Sequence, residues 1–179
     1  HPANVAVALD VCEEAGVSRD VALSGMHKVR PDLGALIAWN LDIDTKRIQF
    51  INGMAANDPV STLQIWKFLI DRYPAEGGTC VFFNSRDDRP LRTRQMIELT
   101  LKEIKPDHFI VRGDKVDGTI QRLLHYSPKT NLQTIGLDVS LDDVVSLMTD
   151  LPHDTLIYAI GNQVGAGQYI LEKISKYHH

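Results

Sequence analysis

The sequence predicts an α/β domain with a mostly parallel sheet covered by helices on both faces, and three observations predict it. From Ala35 to the C-terminus, short apolar and β-branched runs alternate with amphipathic segments. The runs Thr79-Cys80-Val81-Phe82-Phe83 and Thr155-Leu156-Ile157-Tyr158-Ala159-Ile160 are nearly continuous in apolar character, as strands buried on both faces are. Polar and glycine-rich residues gather directly after the strands, where the turns at the carboxyl edge of a parallel sheet fall.

Pro2 to Ala15 reads as a helix, with Pro in its first turn, Val5, Ala8, Leu9 and Cys12 on one stripe and Gly16 as the stop. Ser18 is positioned to cap a second short helix, Arg19 to Met26, followed by His27 and Lys28, whose charge suits a helix C-terminus. A helix pair with no sheet of its own does not make a domain. Pro and Gly interrupt both periodicities in Val29-Arg30-Pro31-Asp32-Leu33-Gly34, so this stretch reads as a boundary. Residues 1–30 are expected to be a short helix pair left from a truncated domain, and residues 35–179 a domain of their own. The chain opens on His1-Pro2 without an initiating Met or a signal peptide, which fits a fragment of a longer protein.

Leu36 to Leu41 and Arg47 to Ile51 are expected strands, joined by the polar turn Asp42 to Lys46. Helix Pro59 to Tyr73, strand Thr79 to Phe83, helix Pro90 to Ile104 and strand His108 to Val111 follow. Then come helix Gly118 to Tyr126, strand Gln133 to Leu137, helix Leu141 to Thr149, strand Thr155 to Ile160 and helix Gln168 to Tyr177. This order describes a Rossmann-like fold.

The net charge of −4 and the pI near 5.9 leave no basic stripe, so nucleic acid is not an expected partner. Cys12 and Cys80 lack CxxC spacing and read as reduced thiols of a cytoplasmic protein. No apolar run is long enough to span a bilayer. His27, His108, His125 and His153 have no ligand spacing, and no tightly held protein metal is expected. No G-x-S-x-G elbow occurs, and no G-x-G-x-x-G follows the first strand, which argues against a free-standing dehydrogenase.

Three turns carry the candidate chemistry. In Asn52-Gly53-Met54-Ala55-Ala56-Asn57-Asp58, an apolar strand ends and a helix begins. Asn57 or Asp58 caps that helix, with Pro59 at its first position. The turn is either a well-made cap or a ligand crevice. In Asn84-Ser85-Arg86-Asp87-Asp88-Arg89-Pro90-Leu91-Arg92, the acidic residues suit a helix start, whereas three arginines oppose its dipole. Arg86, Arg89 and Arg92 are therefore candidates for anion or partner contacts. Gly161-Asn162-Gln163-Val164-Gly165-Ala166-Gly167 is either a close-approach loop for a phosphate or carboxylate, or a tight turn with Asn162 near the left-handed region. Arg112-Gly113-Asp114-Lys115-Val116-Asp117 is a fourth, weaker turn of the same kind.

These three turns, together with Asn4-Val5-Ala6-Val7-Ala8-Leu9 and Ala22-Leu23-x-Gly25-Met26, resemble the C-terminal part of the PgsB/CapB-type ATP-dependent ligases of poly-γ-glutamate capsule synthesis. These ligases lie within the Mur ligase and folylpolyglutamate synthase superfamily. The resemblance implies that residues 1–30 are the tail of a central ATPase domain and 35–179 the C-terminal domain that closes over ATP. It implies an adenine contact for Asn4, nucleotide contacts for Asn52, Asn57 and Asn162, catalytic roles for Asn57, Asp58 and Arg86, and glutamate binding by Arg86, Arg89 and Arg92. Ala56-Asn57-Asp58-Pro59-Val60-Ser61 is similar to the superfamily's Ala-His-Asn-Pro-x-Ser motif, with Asn57 in place of His. Asn57 can thus only hydrogen-bond, since an amide is no general base. The Arg that often follows the superfamily hinge is missing from Gly34-Ala35-Leu36-Ile37, which leaves Arg30 as a candidate substitute and that contact unassigned.

The resemblance further implies ATP and Mg²⁺, bound mainly by a central domain outside these residues, and glutamate with a growing poly-γ-glutamate chain as substrates. Integral-membrane subunits of a capsule synthase are implied partners, with a peripheral location at the inner face of the membrane; a homo-oligomer is compatible with this. Without a P-loop, the 179 residues alone are expected to be inactive. A competing expectation is a non-catalytic α/β module that docks onto those membrane subunits through its charged turns.

Overall fold

The computed structural model describes residues 2–29, 36–56 and 58–178. Asn57, Arg30 and most of the expected boundary stretch lie outside the described residues. The chain divides into two compact units, His1–Leu33 and Gly34–His179.

The first unit is a helix pair, α1 (Pro2–Glu14) and α2 (Arg19–Lys28). Gly16, at φ +78°, ends α1: Gly16 N–H donates to Glu13 O (3.0 Å) and Val17 N–H to Cys12 O (2.8 Å), the two bonds of a Schellman cap. Ser18 precedes α2 in extended conformation but its side chain makes no capping bond; only its carbonyl serves, accepting from Ala22 N–H. Leu9 and Ala22 are buried, whereas Val5, expected on the buried stripe, is exposed.

The second unit holds six strands: β1 (Ile37–Ile43), β2 (Lys46–Asn52), β3 (Thr79–Asn84), β4 (His108–Arg112), β5 (Asn131–Ile135) and β6 (Leu156–Gly161). Their order is β1-β2-β6-β3-β4-β5. β1 and β2 pair antiparallel, and every other pairing is parallel. The β1–β2 connection is tighter than the expected five-residue turn. Asp44 adopts φ +52°, which an aspartate tolerates, and this lets Ile43 pair with Lys46 and Asp42 with Arg47.

Helices α3 (Pro59–Arg72), α4 (Pro90–Leu99) and α5 (Asp117–Leu123) belong with one face of the sheet; α6 (Leu141–Thr149) and α7 (Ala166–Ile174) belong with the other. Side-chain alternation assigns the faces. Val81 and Phe83 pack with Trp66, Met96, Ile97 and Ile120, whereas Cys80 and Phe82 pack with Val144, Met148, Ile170 and Ile174. The expected helix Pro90 to Ile104 runs on from α4 as a π-turn, Thr100–Ile104, closed by Lys105 at φ +52°, whose N–H donates to Thr100 O (2.8 Å). The fifth strand begins two residues earlier than expected, because Asn131 pairs with His108 and Ile135 with Arg112, so that Leu137 falls past the sheet edge.

The parallel order puts Asn52, Asn84, Arg112 and Gly161 at one edge of the sheet, at the ends of β2, β3, β4 and β6. After β3 the chain turns to the α3–α5 face; after the adjacent β6 it turns to the α6–α7 face. Two neighbouring parallel strands whose connections leave in opposite directions open a crevice between them, the switch point where α/β sheets bind ligands.

Candidate functional site

An open cleft occupies that switch point, lined by Phe83, Asn84, Ser85, Arg86, Arg89, Arg92, Thr93, Met96, Gly161 and Asn162. Its floor is a seam between the ends of β3 and β6. Asn162 N–H donates to Asn84 O (2.7 Å), and the Asn84 side-chain Nδ2 donates back to Asn162 O (2.7 Å). Gly161 sits at φ +98°, and a Cβ there would lie 2.3 Å from Asn84 O, so the close approach of the two strand ends requires glycine. Asn162 itself is not in the left-handed region. The positive φ values of this loop fall on Gly161 and on Gly165 (φ +70°), which corrects the expectation for Asn162. The Asn162 side chain instead folds the loop locally, Nδ2 donating to Val164 O (2.9 Å).

Three guanidinium groups form the cleft's rim. Arg86 is held by Asp88 in a two-pronged ion pair, Nε donating to Oδ1 (2.8 Å) and Nη2 to Oδ2 (2.6 Å). The pair raises the Arg86 pKa and lowers that of Asp88. Arg89 is the N-cap residue of α4 and makes no side-chain cap; Arg92 lies in the first turn, after Pro90. Thr93 Oγ1 donates to Arg86 O (3.3 Å), tying the turn to the helix. Among the described residues, neither Arg89 nor Arg92 has a carboxylate within 4.0 Å, whereas Arg86 does. The rim thus presents one engaged and two disengaged forks, a donor set suited to carboxylate or phosphate oxygens.

Asn52 and Asp58 stand one strand further along the same edge. Asn52 is buried, and its Oδ1 accepts from Met54 N–H (3.2 Å), shaping the turn after β2. Gly53 packs so closely on Tyr158 that a Cβ would meet the ring at 2.2 Å. Asp58 is the N-cap of α3, its Oδ1 accepting from Ser61 N–H (2.9 Å). That bond holds its carboxyl below the usual value, and the Arg92 charge lowers it further. Arg86, Arg89, Arg92 and Asn162 are therefore gathered in one cleft, and Asn52 and Asp58 flank it. Asn4 belongs to the other unit, and Asn57 lies outside the described residues.

Two residues of this edge had no assigned role. Asn84 is 1% exposed and joins three strand ends; Arg112 is 8% exposed and reaches Asn84 Oδ1 through Nη1 (3.3 Å) and Leu137 O through Nη2 (3.2 Å). Each is the polar residue that ends an apolar strand, and that position was the available signal. Among the described residues, no group of three or more His, Cys, Asp or Glu side chains could hold a metal ion.

Residues 39–177 match the family described as the poly-gamma-glutamate synthase CapB C-terminal domain. The chain is 32% identical over 178 residues to the PGA synthase CapB of Bacillus subtilis (strain 168), covering 98% of this chain and 45% of that protein. It is 30% identical over 174 residues to the capsule biosynthesis protein CapB of Bacillus anthracis, covering 97% and 37%. The chain thus spans less than half the length of these curated relatives. Among solved structures, MurC from Thermotoga maritima aligns with a TM-score of 0.63 at 12% identity, covering 94% of this chain and 36% of that one. MurF from Acinetobacter baumannii aligns at 0.61 and 15%, covering 90% and 35%. At such identities the likeness shows the fold, an α/β sheet of Mur ligase type. The chain belongs to the poly-gamma-glutamate synthase CapB C-terminal domain family.

Proposed function

We propose that this chain is the C-terminal part of an ATP-dependent amide ligase that lengthens poly-γ-glutamate, and that the cleft between β3 and β6 seats the incoming glutamate. The observation that carries this reading is the arginine rim at the switch point: Arg86, Arg89 and Arg92 line one crevice, and among the described residues Arg89 and Arg92 have no carboxylate within 4.0 Å. In this reading residues 1–30 are the tail of a central ATPase domain and residues 35–179 are the domain that closes over the nucleotide.

Bound with Mg²⁺, ATP supplies the phosphoryl group that activates the acceptor carboxylate. This chain's residues position the nucleophile. A guanidinium fork grips the glutamate carboxylate with two parallel hydrogen bonds and so aims the free amine at the activated carbonyl. The amine nitrogen forms the C–N bond as phosphate leaves, and the nitrogen gives up a proton. The guanidinium forks of the rim fit phosphate oxygens as well as carboxylate oxygens. Asn4, Asn52, Asn57 and Asn162 are the residues assigned to the nucleotide, Asn57 and Asp58 to the crevice beside it. In the same reading the ligase works at the inner face of the membrane beside membrane subunits. No described helix is itself long and apolar enough to cross a membrane.

The test is glutamate-dependent ADP release by the intact protein, comparing wild type with Arg89→Ala and Arg92→Ala. Losing a charge-assisted hydrogen bond of ~1.5–3 kcal/mol raises the glutamate KM about tenfold or more in at least one variant. If both variants keep the wild-type KM but lose binding to membrane subunits, the cleft is a docking surface instead.

A further inference from the structure

Arg112 is an unusual residue for the edge of a core. It is 8% exposed, its Nε is buried with no hydrogen-bond partner, and among the described residues no carboxylate lies within 4.0 Å of it. An apolar side chain of similar volume would satisfy the packing without burying a charge. The placement of its donors suggests what the charge is for.

We propose that Arg112 is a positioning residue for the cleft, acting through Asn84 to hold the glycine loop that carries Asn162. A guanidinium has donors and no acceptor, whereas the two ends of an asparagine amide have nearly the same shape and opposite hydrogen-bonding character. With Arg112 Nη1 at 3.3 Å, the end of Asn84 facing it must be the oxygen. The NH2 end is then turned toward Asn162, where it donates to the backbone carbonyl at 2.7 Å. Arg112 is itself anchored by Nη2 to Leu137 O at 3.2 Å.

The relay Leu137–Arg112–Asn84–Asn162 therefore crosses the edge of the sheet from beyond β5, through the ends of β4 and β3, to the residue after β6. The loop is pressed onto the relay from two sides. A Cβ at Gly161 would lie 2.3 Å from Asn84 O, and one at Gly167 would lie 2.3 Å from Asn162 O and 3.3 Å from Asn84 Nδ2. Reversing the Asn84 amide would set its oxygen against the Asn162 carbonyl and expel the loop from the floor of the cleft. The proposal rests on the cleft as ligand site only for its consequence in activity. The relay itself can be read without any ligand.

The test is Asn84→Asp beside Arg112→Met in the intact protein. The aspartate has the size of asparagine and pairs with Arg112, so the unfolding midpoint stays at or above wild type. Its second oxygen, however, faces the Asn162 carbonyl. Hydrogen exchange at the amides of residues 163–167 is expected to accelerate at least tenfold in both variants, and the glutamate KM to rise at least fivefold. A purely structural role predicts that loop exchange follows global stability, so an Asn84→Asp protein with wild-type stability and wild-type loop exchange overturns the proposal. If the loop loosens in both variants while glutamate KM stays unchanged, the positioning stands and the assignment of the cleft to glutamate fails.

Discussion

The glycine loop after β6 separates backbone strain from steric exclusion, because its three glycines differ in which of the two they carry. Gly165 sits at φ +70° with nothing within 4 Å of a built Cβ, so Gly165→Ala meets strain alone. Gly167 lies within α7, where a Cβ would approach Asn162 O to 2.3 Å, so Gly167→Ala meets exclusion alone. Gly161 combines φ +98° with a Cβ 2.3 Å from Asn84 O and 2.8 Å from the Phe83 ring. Strain in a sparsely populated region costs ~1–3 kcal/mol, and loss of glycine's unfolded-state freedom returns ~0.4–1 kcal/mol. Gly165→Ala should therefore destabilise by about 1–2 kcal/mol. Overpacking adds ~1–3 kcal/mol, and at both Gly161 and Gly167 the nearest blocking atom is a backbone carbonyl oxygen, which cannot swing aside. Gly161→Ala should accordingly destabilise by about 3–5 kcal/mol, and Gly167→Ala, helped by alanine's helix propensity, by about 1–2 kcal/mol. Urea unfolding followed by tryptophan fluorescence measures this directly, because both tryptophans, Trp39 and Trp66, lie in the sheet-bearing unit. The glutamate KM of the intact enzyme should rise in the Gly161 and Gly167 variants, which displace Asn162, and change least for Gly165. A Gly165→Ala protein as unstable as Gly161→Ala, or a Gly161→Ala protein within about 0.5 kcal/mol of wild type, would refute the assignment of the clash.

Other expected outcomes follow from the capping, rim and composition of the chain. Removing the α3 cap with Asp58→Ala should cost about 1 kcal/mol by denaturant titration near neutral pH. Because the folded Asp58 pKa lies below its ordinary 3.8, that contribution is present above 3.8 and is lost as pH falls through the folded value. Wild type and variant should therefore converge in stability only in strong acid. Asp88→Asn, which weakens the two-pronged hold on the exposed Arg86, should leave the unfolding midpoint close to wild type while lowering the glutamate KM, since the pair is solvent-screened and the fork is freed. The 179 residues alone should release no ADP from ATP above a buffer blank. Turnover by this purified chain would contradict the assignment of ATP chemistry to a separate domain.

The layered fold was legible because its strands announce themselves. Cys80 to Phe83 and Leu156 to Ile160 are buried on both sides, so their apolar runs have no polar face to hide the pattern. β5 sits at the sheet edge with Asn131, Gln133 and Thr134 exposed, and its weaker pattern misplaced it by two residues. Asp44 shortened its hairpin through a left-handed conformation that its residue type permits but does not announce. The π-turn at Thr100–Ile104 keeps helical spacing in sequence and differs only in hydrogen bonding, so composition alone does not reveal it.

At the site, the sequence put the arginine-rich turn and the glycine loop at the same carboxyl edge of the sheet, and the structure brings them into one cleft. It did not reveal that Arg86 is already paired with Asp88, since four charged residues in succession allow several pairings. Arg112 read as one more charged turn residue. Only the three-dimensional pairing of β4 with β3 shows that its guanidinium is turned inward onto Asn84.

A crystal structure of the intact protein with glutamate and a nucleotide bound would locate the glutamate seat outright. A glutamate carboxylate is expected between the ends of β3 and β6, its oxygens about 3 Å from the guanidinium nitrogens of Arg89 or Arg92. Glutamate seated elsewhere, with the Asn84–Asn162 cleft empty, would contradict it.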